Sequence, residues 1–413
     1  MDQKFIKPPV EARYKDELDA LAFNDSGRKP LNWILSPKAV RTFILGSSKP
    51  LKTADGKSIE IRKKFYGNDA LVERCIITLA GSRGLMLVGE PGTAKTMLSE
   101  LLSAAISGVS TNTIQGTAGT TEDMIKYSWN YALLLAKGPV KEALVPTPLY
   151  IGMSKGIITR FEEITRTPAE IQDSLISVMS DKVLNIPEIE DNDLLFAKPG
   201  FNIIGTANTR DKGVNEMSSA LKRRFNFETV EPVKDIRLEK QIILNEVGES
   251  AVADKIGMPV DTDVAELLAM TYHELREGIS DMGIKVEKPS SVMSTSEAVS
   301  VYYQTLANAW YYEQPELNID DLAQNLTNAV CKDTKDDLDK LKAYFNTVVK
   351  QRSEKVGGVW KKFYSAKKYQ GMLLSQHLLL NSLPYQQAVL FLFQYMNFQH
   401  KYSVFLNTFA ALF

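Results

Sequence analysis

At 413 residues the chain exceeds what one hydrophobic core ordinarily holds, and two or three domains are expected. Apolar residues make up 44% and charged residues 24%, with no apolar stretch long enough to span a bilayer, the composition of a soluble globular protein. Lys and Arg (49) nearly balance Asp and Glu (50), and the resulting net charge of −1 argues against a generally basic nucleic-acid binder.

The start, Met1-Asp2-Gln3-Lys4, has no apolar leader, so a cytoplasmic location is expected. Cys75 and Cys331 are too far apart in sequence to suggest a disulfide framework or a zinc site. His273, His377 and His400 are too scattered for a metal cluster. Residues 1–66 read as an N-terminal extension, with a short helix from Glu11 to Phe23 and a hairpin turning at Asp55-Gly56. From 67 to 231 helical and strand signals alternate, the mark of a parallel sheet with crossover helices. Strands are expected at Leu85–Val88, Thr111–Gln115, Gly156–Phe161, Phe201–Thr206 and Phe225–Val230. Beyond Pro232 strands nearly vanish. Asp263 with Glu266, and Ser294 with Glu297, have capping-box spacing before apolar-periodic runs, so 232–312 reads as a helical subdomain. Residues 313–413 read as a further helical region rich in aromatics, whose apolar run Ala388–Phe393 suits a buried helix.

The most informative segment is Gly89-Glu90-Pro91-Gly92-Thr93-Ala94-Lys95-Thr96. It follows a buried-strand signal and precedes a helix of apolar pairs beginning at Met97-Leu98. Strand, small-residue loop and helix form a phosphate cradle, because backbone N–H groups and the positive helix end converge on an anion. Lys95 is placed to reach the β- and γ-phosphates, and the Thr96 hydroxyl to ligate Mg²⁺. Ala94 stands where such loops usually have a second glycine.

Three later groups fit around that loop. Glu162-Glu163 ends a strand, so that Glu162 can hold Mg²⁺ through water while Glu163 serves as general base toward an attacking water. Asn208 ends the next apolar strand and is placed to orient that water or touch the γ-phosphate. Arg223 and Arg224 close a helix before the last strand, where an arginine can stabilise charge on a transferring phosphoryl group. Taken singly, each has a plain structural explanation: an acidic corner, a turn asparagine, and basic residues suited to a helix C-terminus.

Their order resembles the AAA+ ATPases, and more narrowly the MoxR-like and McrB/midasin-like branch. The matching stretches are Gly89–Thr96, Glu162–Pro168, Gly205–Asn208 and Asn215–Phe225, with Tyr66-Gly67-Asn68-Asp69 where the family places residues near the adenine. The resemblance, which covers roughly 65–312, implies an α/β core of five parallel strands with flanking helices (67–231), a helical lid (232–312) and a helical C-terminal domain (313–413). It implies ATP and Mg²⁺ as cofactors, with nucleotide contacts from Gly67, Gly89, Pro91, Gly92, Thr93, Ala94, Lys95, Thr96 and Met97. It also implies metal contacts from Thr96 and Glu162, and catalytic roles for Glu163, Asn208 and a neighbouring subunit's Arg223 or Arg224. A homo-oligomer, usually a hexameric ring, acting on a protein client is implied, with a von Willebrand factor A domain protein a common partner in the family. The long segment Gly116–Lys155 and a hairpin between Lys182 and Lys198 resemble the family's insertions. The lid arginine of relatives is replaced here by Ser296. A nucleic-acid-stimulated motor and a nucleotide-gated scaffold with little turnover are the alternatives. The first draws on Lys361–Tyr369, where cations alternate with aromatic rings, a pattern that also arises from a solvated helix face with core anchors.

Overall fold

The computed structural model describes residues 6–189, 193–209, 215–332 and 335–369. The described residues divide into two compact units, one drawn from 6–242 with 294–296, the other from 243–293 and 297–369.

The first unit is built on a five-stranded sheet. Its strands are β1 (Gly84–Gly89), β2 (Thr113–Gln115), β3 (Ile158–Glu162), β4 (Asn202–Asn208) and β5 (Phe225–Thr229). They lie in the order β5-β1-β4-β3-β2, every pairing parallel. Side chains alternate across such a sheet, and the core divides accordingly. Leu85, Leu87 and Ile204 pack on one face with the helices Asp69–Ala80 and Lys95–Ser107. Met86, Ile203, Phe161 and Phe225 pack on the other. Both faces are covered, so the central strands are apolar throughout rather than alternating.

The expected strands are present with shifted ends: β2 and β3 begin two residues later than their apolar patterns, and β4 runs two residues further, to Asn208. The expected N-terminal helix is two helices, Val10–Arg13 and Lys15–Asn24, separated at Tyr14 (φ −114°, ψ 29°). The hairpin pairs Leu51 with Ile59 and Lys52 with Ser58 across Asp55-Gly56. Phe43, Ile44, Ile61 and Phe65 from this region are buried in the same core as the sheet's helices. Residues Tyr127–Trp129 pair with Leu144–Pro146 in one antiparallel hairpin, and Val183–Ile186 with Asp193–Phe196 in another.

The second unit is helical. Helix Thr262–Glu277 is capped by Asp261, whose carboxylate accepts from the Asp263 N–H at 2.8 Å. The sequence pattern placed the cap at Asp263; Asp261 takes the role, and Asp263 falls in the first turn, where its charge suits the helix dipole. Helix Thr295–Tyr311, whose residues from Glu297 onward belong to this unit, begins directly after Ser294, as its spacing implies. Tyr272, Leu322, Leu326, Phe345 and Phe363 are fully buried. In the Lys361–Tyr369 run, Phe363 is fully buried and Trp360, just before it, is buried beside it, while Lys361 and Lys362 are exposed. The run Ala388–Phe393 lies outside the described residues. Among those described, no helix is long and apolar enough to cross a membrane.

Candidate active site

Strand β1 is buried almost along its whole length and delivers the chain to Gly89. A side chain there would collide with the backbone, since a Cβ would lie 2.4 Å from the Val230 carbonyl oxygen. The loop then turns through Gly92 at φ 75° and Ala94 at φ 65°, both left-handed. Glycine adopts that region freely, whereas alanine is strained there by about 1–2 kcal/mol. The departure at Ala94 therefore keeps the loop's shape at the expense of local strain. Ala94 serves as N-cap of helix Lys95–Ser107, which supplies the positive end of a thirteen-residue dipole.

Lys95 is buried and folded back over the loop. Its Nζ donates to the carbonyls of Glu90 (2.6 Å) and Gly89 (3.1 Å) and lies 3.5 Å from Thr93 Oγ1. These acceptors hold the ammonium at the loop. Ser294 and Ser296 lie against the same loop: a Cβ on Gly92 would come within 2.3 Å of Ser294 Cβ and 3.4 Å of Ser296 Oγ.

Glu162, at the end of β3, gathers the second half of the site. Its Oε2 accepts from Thr96 Oγ1 (3.0 Å) and Thr206 Oγ1 (2.7 Å). Its Oε1 accepts from Ser99 Oγ (2.8 Å) and Arg160 Nη2 (2.7 Å). Burial raises the Glu162 pKa, but the Arg160 charge and the donated hydrogen bonds outweigh it, and the carboxyl is held below the usual carboxylate range. Because Thr96 spends its proton on Glu162, its oxygen lone pairs remain for a cation at the loop mouth. Hydroxyl and carboxylate oxygens are hard donors that fit Mg²⁺ completed by substrate phosphates. Among the described residues no cluster of three or more His, Cys, Asp or Glu forms a self-sufficient metal site.

The next residue, Glu163, sits in the left-handed region (φ 52°) and turns away from Glu162. Its N–H donates to Thr206 Oγ1 at 3.0 Å, while its carboxylate pairs with Arg166 at 2.7 Å. Thr206 thus receives from one residue of the acidic pair and donates to the other. On β4 the register sets Asn208 directly opposite Gly89, beside the start of the phosphate loop.

The two arginines differ. Arg224 is docked within its own chain, Nε donating to Ser180 Oγ (2.9 Å) and Nη1 to the Ala220 carbonyl (2.7 Å). Arg223 is exposed, and among the described residues its guanidinium has no hydrogen-bond or ion-pair partner. The segment leading to them is fastened to the turn after Glu163 through Asn215, whose N–H donates to the Thr165 carbonyl at 2.6 Å. Gly67 sits outside this bonded set, packed over Phe65 just before helix Asp69–Ala80. Pro91 is half-buried in the loop, and Met97 packs against the core beneath the helix. Arg160, Ser99, Thr206 and Arg166 were not singled out from sequence; Arg160, a charge inside an otherwise buried strand, was the one visible signal.

Two family models match. Residues 84–225 match the AAA domain (dynein-related subfamily), and 238–370 match the YehL-like AAA+ ATPase C-terminal domain. The chain is 45% identical to the uncharacterized protein YehL of Escherichia coli (strain K12), over 87% of this chain and 96% of that protein. It belongs to the YehL-like AAA+ ATPases. A more distant relative is the chaperone MoxR1 of Mycobacterium tuberculosis (strain ATCC 25618 / H37Rv), 24% identical over 44% of this chain and 45% of that one. Among solved structures, NtrX from Brucella abortus in complex with ADP superposes at a TM-score of 0.44, with 12% identity over 75% of this chain and 70% of that chain. That likeness is too loose to carry chemistry across. As a YehL-like AAA+ ATPase the protein binds ATP and is an ATP hydrolase.

Proposed function

We propose that this YehL-like protein hydrolyses ATP at the loop Gly89–Thr96 and uses the cycle to remodel or assemble a protein partner in the cytoplasm, working as a ring of copies, a hexamer by family resemblance. Residues Gly89, Pro91, Gly92, Thr93, Ala94 and Met97 shape the cradle, and Gly67 flanks the base. Lys95 exchanges its carbonyl acceptors for the phosphates, a gain in charge complementarity at little conformational change. Bound Mg²⁺, held by Thr96 with Glu162 behind it, offsets phosphate charge. Glu163 accepts the proton of the attacking water, and Asn208 orients that water from the neighbouring strand. Arg223 reaches the adjacent copy's site, and Arg224 holds the segment that carries it.

The observation that carries this reading is the convergence of Lys95, Thr96, Glu162, Glu163 and Asn208 on one end of the sheet, together with an arginine that finds no partner among the described residues of its own chain. MoxR1's description as a chaperone favours a protein client, and a von Willebrand factor A domain protein is the partner class to test first. Affinity purification of Glu163→Gln protein with ATP tests the client: a protein retained with ATP and lost with ADP supports the reading, whereas nucleic acid retained instead contradicts it.

A further inference from the structure

Arg160 is 4% exposed in the middle of β3, where a strand covered on both faces calls for an apolar side chain. Its guanidinium is fully engaged: Nε donates to Ser99 Oγ (2.9 Å), Nη1 to the Ser110 carbonyl (2.6 Å) and Nη2 to Glu162 Oε1 (2.7 Å), with the Glu100 carboxylate 3.8 Å from Nη2. Glu162 in turn receives hydrogen bonds from Ser99, Arg160, Thr96 and Thr206, which fills the acceptor sites of a carboxylate. A buried carboxylate facing a cation site without such a partner gains much of its stabilisation from the cation itself. Here a fixed positive charge on the same strand already supplies it.

We infer that Arg160 is a positioning residue that sets the Mg²⁺ affinity of the nucleotide site. It neutralises Glu162 from behind, so that the metal gains from the Thr96 oxygen and the phosphates but little from the carboxylate's charge. Glu162 then acts mainly as the acceptor that fixes the Thr96 proton. This rests on the reading that Mg²⁺ accompanies nucleotide at Thr96.

The test is calorimetric binding of a non-hydrolysable ATP analogue to the full chain at stepped MgCl₂ concentrations, which reads Mg²⁺ half-saturation without turnover. Arg160→Gln, which can still donate to Ser99 or Ser110, lowers the half-saturating Mg²⁺ by about tenfold or more. That is the scale on which a charge in hydrogen-bond reach alters a carboxylate's affinity for a proton. Arg160→Lys, which keeps the charge, stays within about twofold of wild type on the same scale. The paired variant Arg160→Gln with Glu162→Gln removes both buried charges and covers the case in which the single change does not fold. It also stays within about twofold, since net charge is unchanged. An unaltered half-saturation in Arg160→Gln, or a tenfold rise in the paired variant, overturns the inference. Wild-type binding that ignores Mg²⁺ altogether sinks instead the metal reading on which it rests.

Discussion

Arg166 and Glu163 form an ion pair three residues apart, with Nε 2.7 Å from Oε2, and the Glu163 backbone is left-handed at φ 52°. The pair fixes where the proposed base points. Both side chains are partly exposed, so its worth to stability is small, about 0–1 kcal/mol. Glu163→Gln is therefore expected to leave the melting temperature and ATP affinity close to wild type while lowering kcat by about 10²–10⁴. Phosphate release and nucleotide binding measured on the same preparation check both halves.

Lys95 is the buried cation of the phosphate loop, its Nζ donating to the Gly89 and Glu90 carbonyls. Lys95→Ala removes its charge-assisted hydrogen bonds to phosphate, worth about 1.5–3 kcal/mol, and weakens ATP binding by about tenfold to a hundredfold. Fluorescence titration with a labelled nucleotide reads the loss. An unchanged Kd would contradict the placement of phosphate at this loop.

The contrast between Arg223 and Arg224 gives opposite outcomes for two adjacent substitutions. Arg224→Ala breaks contacts to Ser180 and the Ala220 carbonyl and is expected to lower stability by about 1–3 kcal/mol. Arg223→Ala breaks none among the described residues, so it leaves stability intact and lowers kcat by about 10³ or more. Thermal melts and steady-state hydrolysis of the two variants separate the roles.

In the helical unit, Arg352 donates to both oxygens of Glu274, at 2.6 and 3.1 Å, and Tyr344 donates to the same carboxylate at 2.6 Å. All three are almost wholly buried. Arg352→Ala leaves Glu274 buried without its countercharge, and a loss of about 3–5 kcal/mol is expected by denaturant unfolding.

Burial pushes the Cys75 thiol up to about 12, with nearby Glu228 adding to the rise, and the Cys331 thiol, also by burial, to about 11. Both groups therefore stay protonated through the neutral range and well above the ordinary thiol pKa. Alkylation at pH 8 should be slow in the folded protein and fast in denaturant. Rapid native labelling followed by mass spectrometry would contradict the burial.

The five strands and the phosphate loop were legible because each strand is a short apolar run and the loop is a fixed spacing of small residues, Lys95 and Thr96. The partners around Glu162 were not. Ser99 is one helical turn beyond the loop, Thr206 is on a different strand, and only the β1-β4-β3 order with its register brings their hydroxyls to one carboxylate. Arg160 was visible as an oddity in a buried strand, but its meaning depends on Glu162 two residues on, facing the same side. Tyr14 divides a helix that apolar spacing alone joins, and Asp261 displaces Asp263 as cap because two equivalent side chains compete within three residues. In Lys361–Tyr369 the pattern of cations and rings left two orientations open; the core packing of Phe363 against Phe345, with ring centroids 4.6 Å apart, turns that ring inward.

The central claim is that ATP is cleaved between two copies, with Glu163 from one and Arg223 from the other. Mixing Glu163→Gln protein with Arg223→Ala protein tests it, because each is expected to be inactive alone. In mixed assemblies some junctions combine an intact Glu163 with an intact Arg223, and phosphate release returns in proportion to their share. Mixtures that remain as inactive as the separate variants, despite verified co-assembly, would contradict the account.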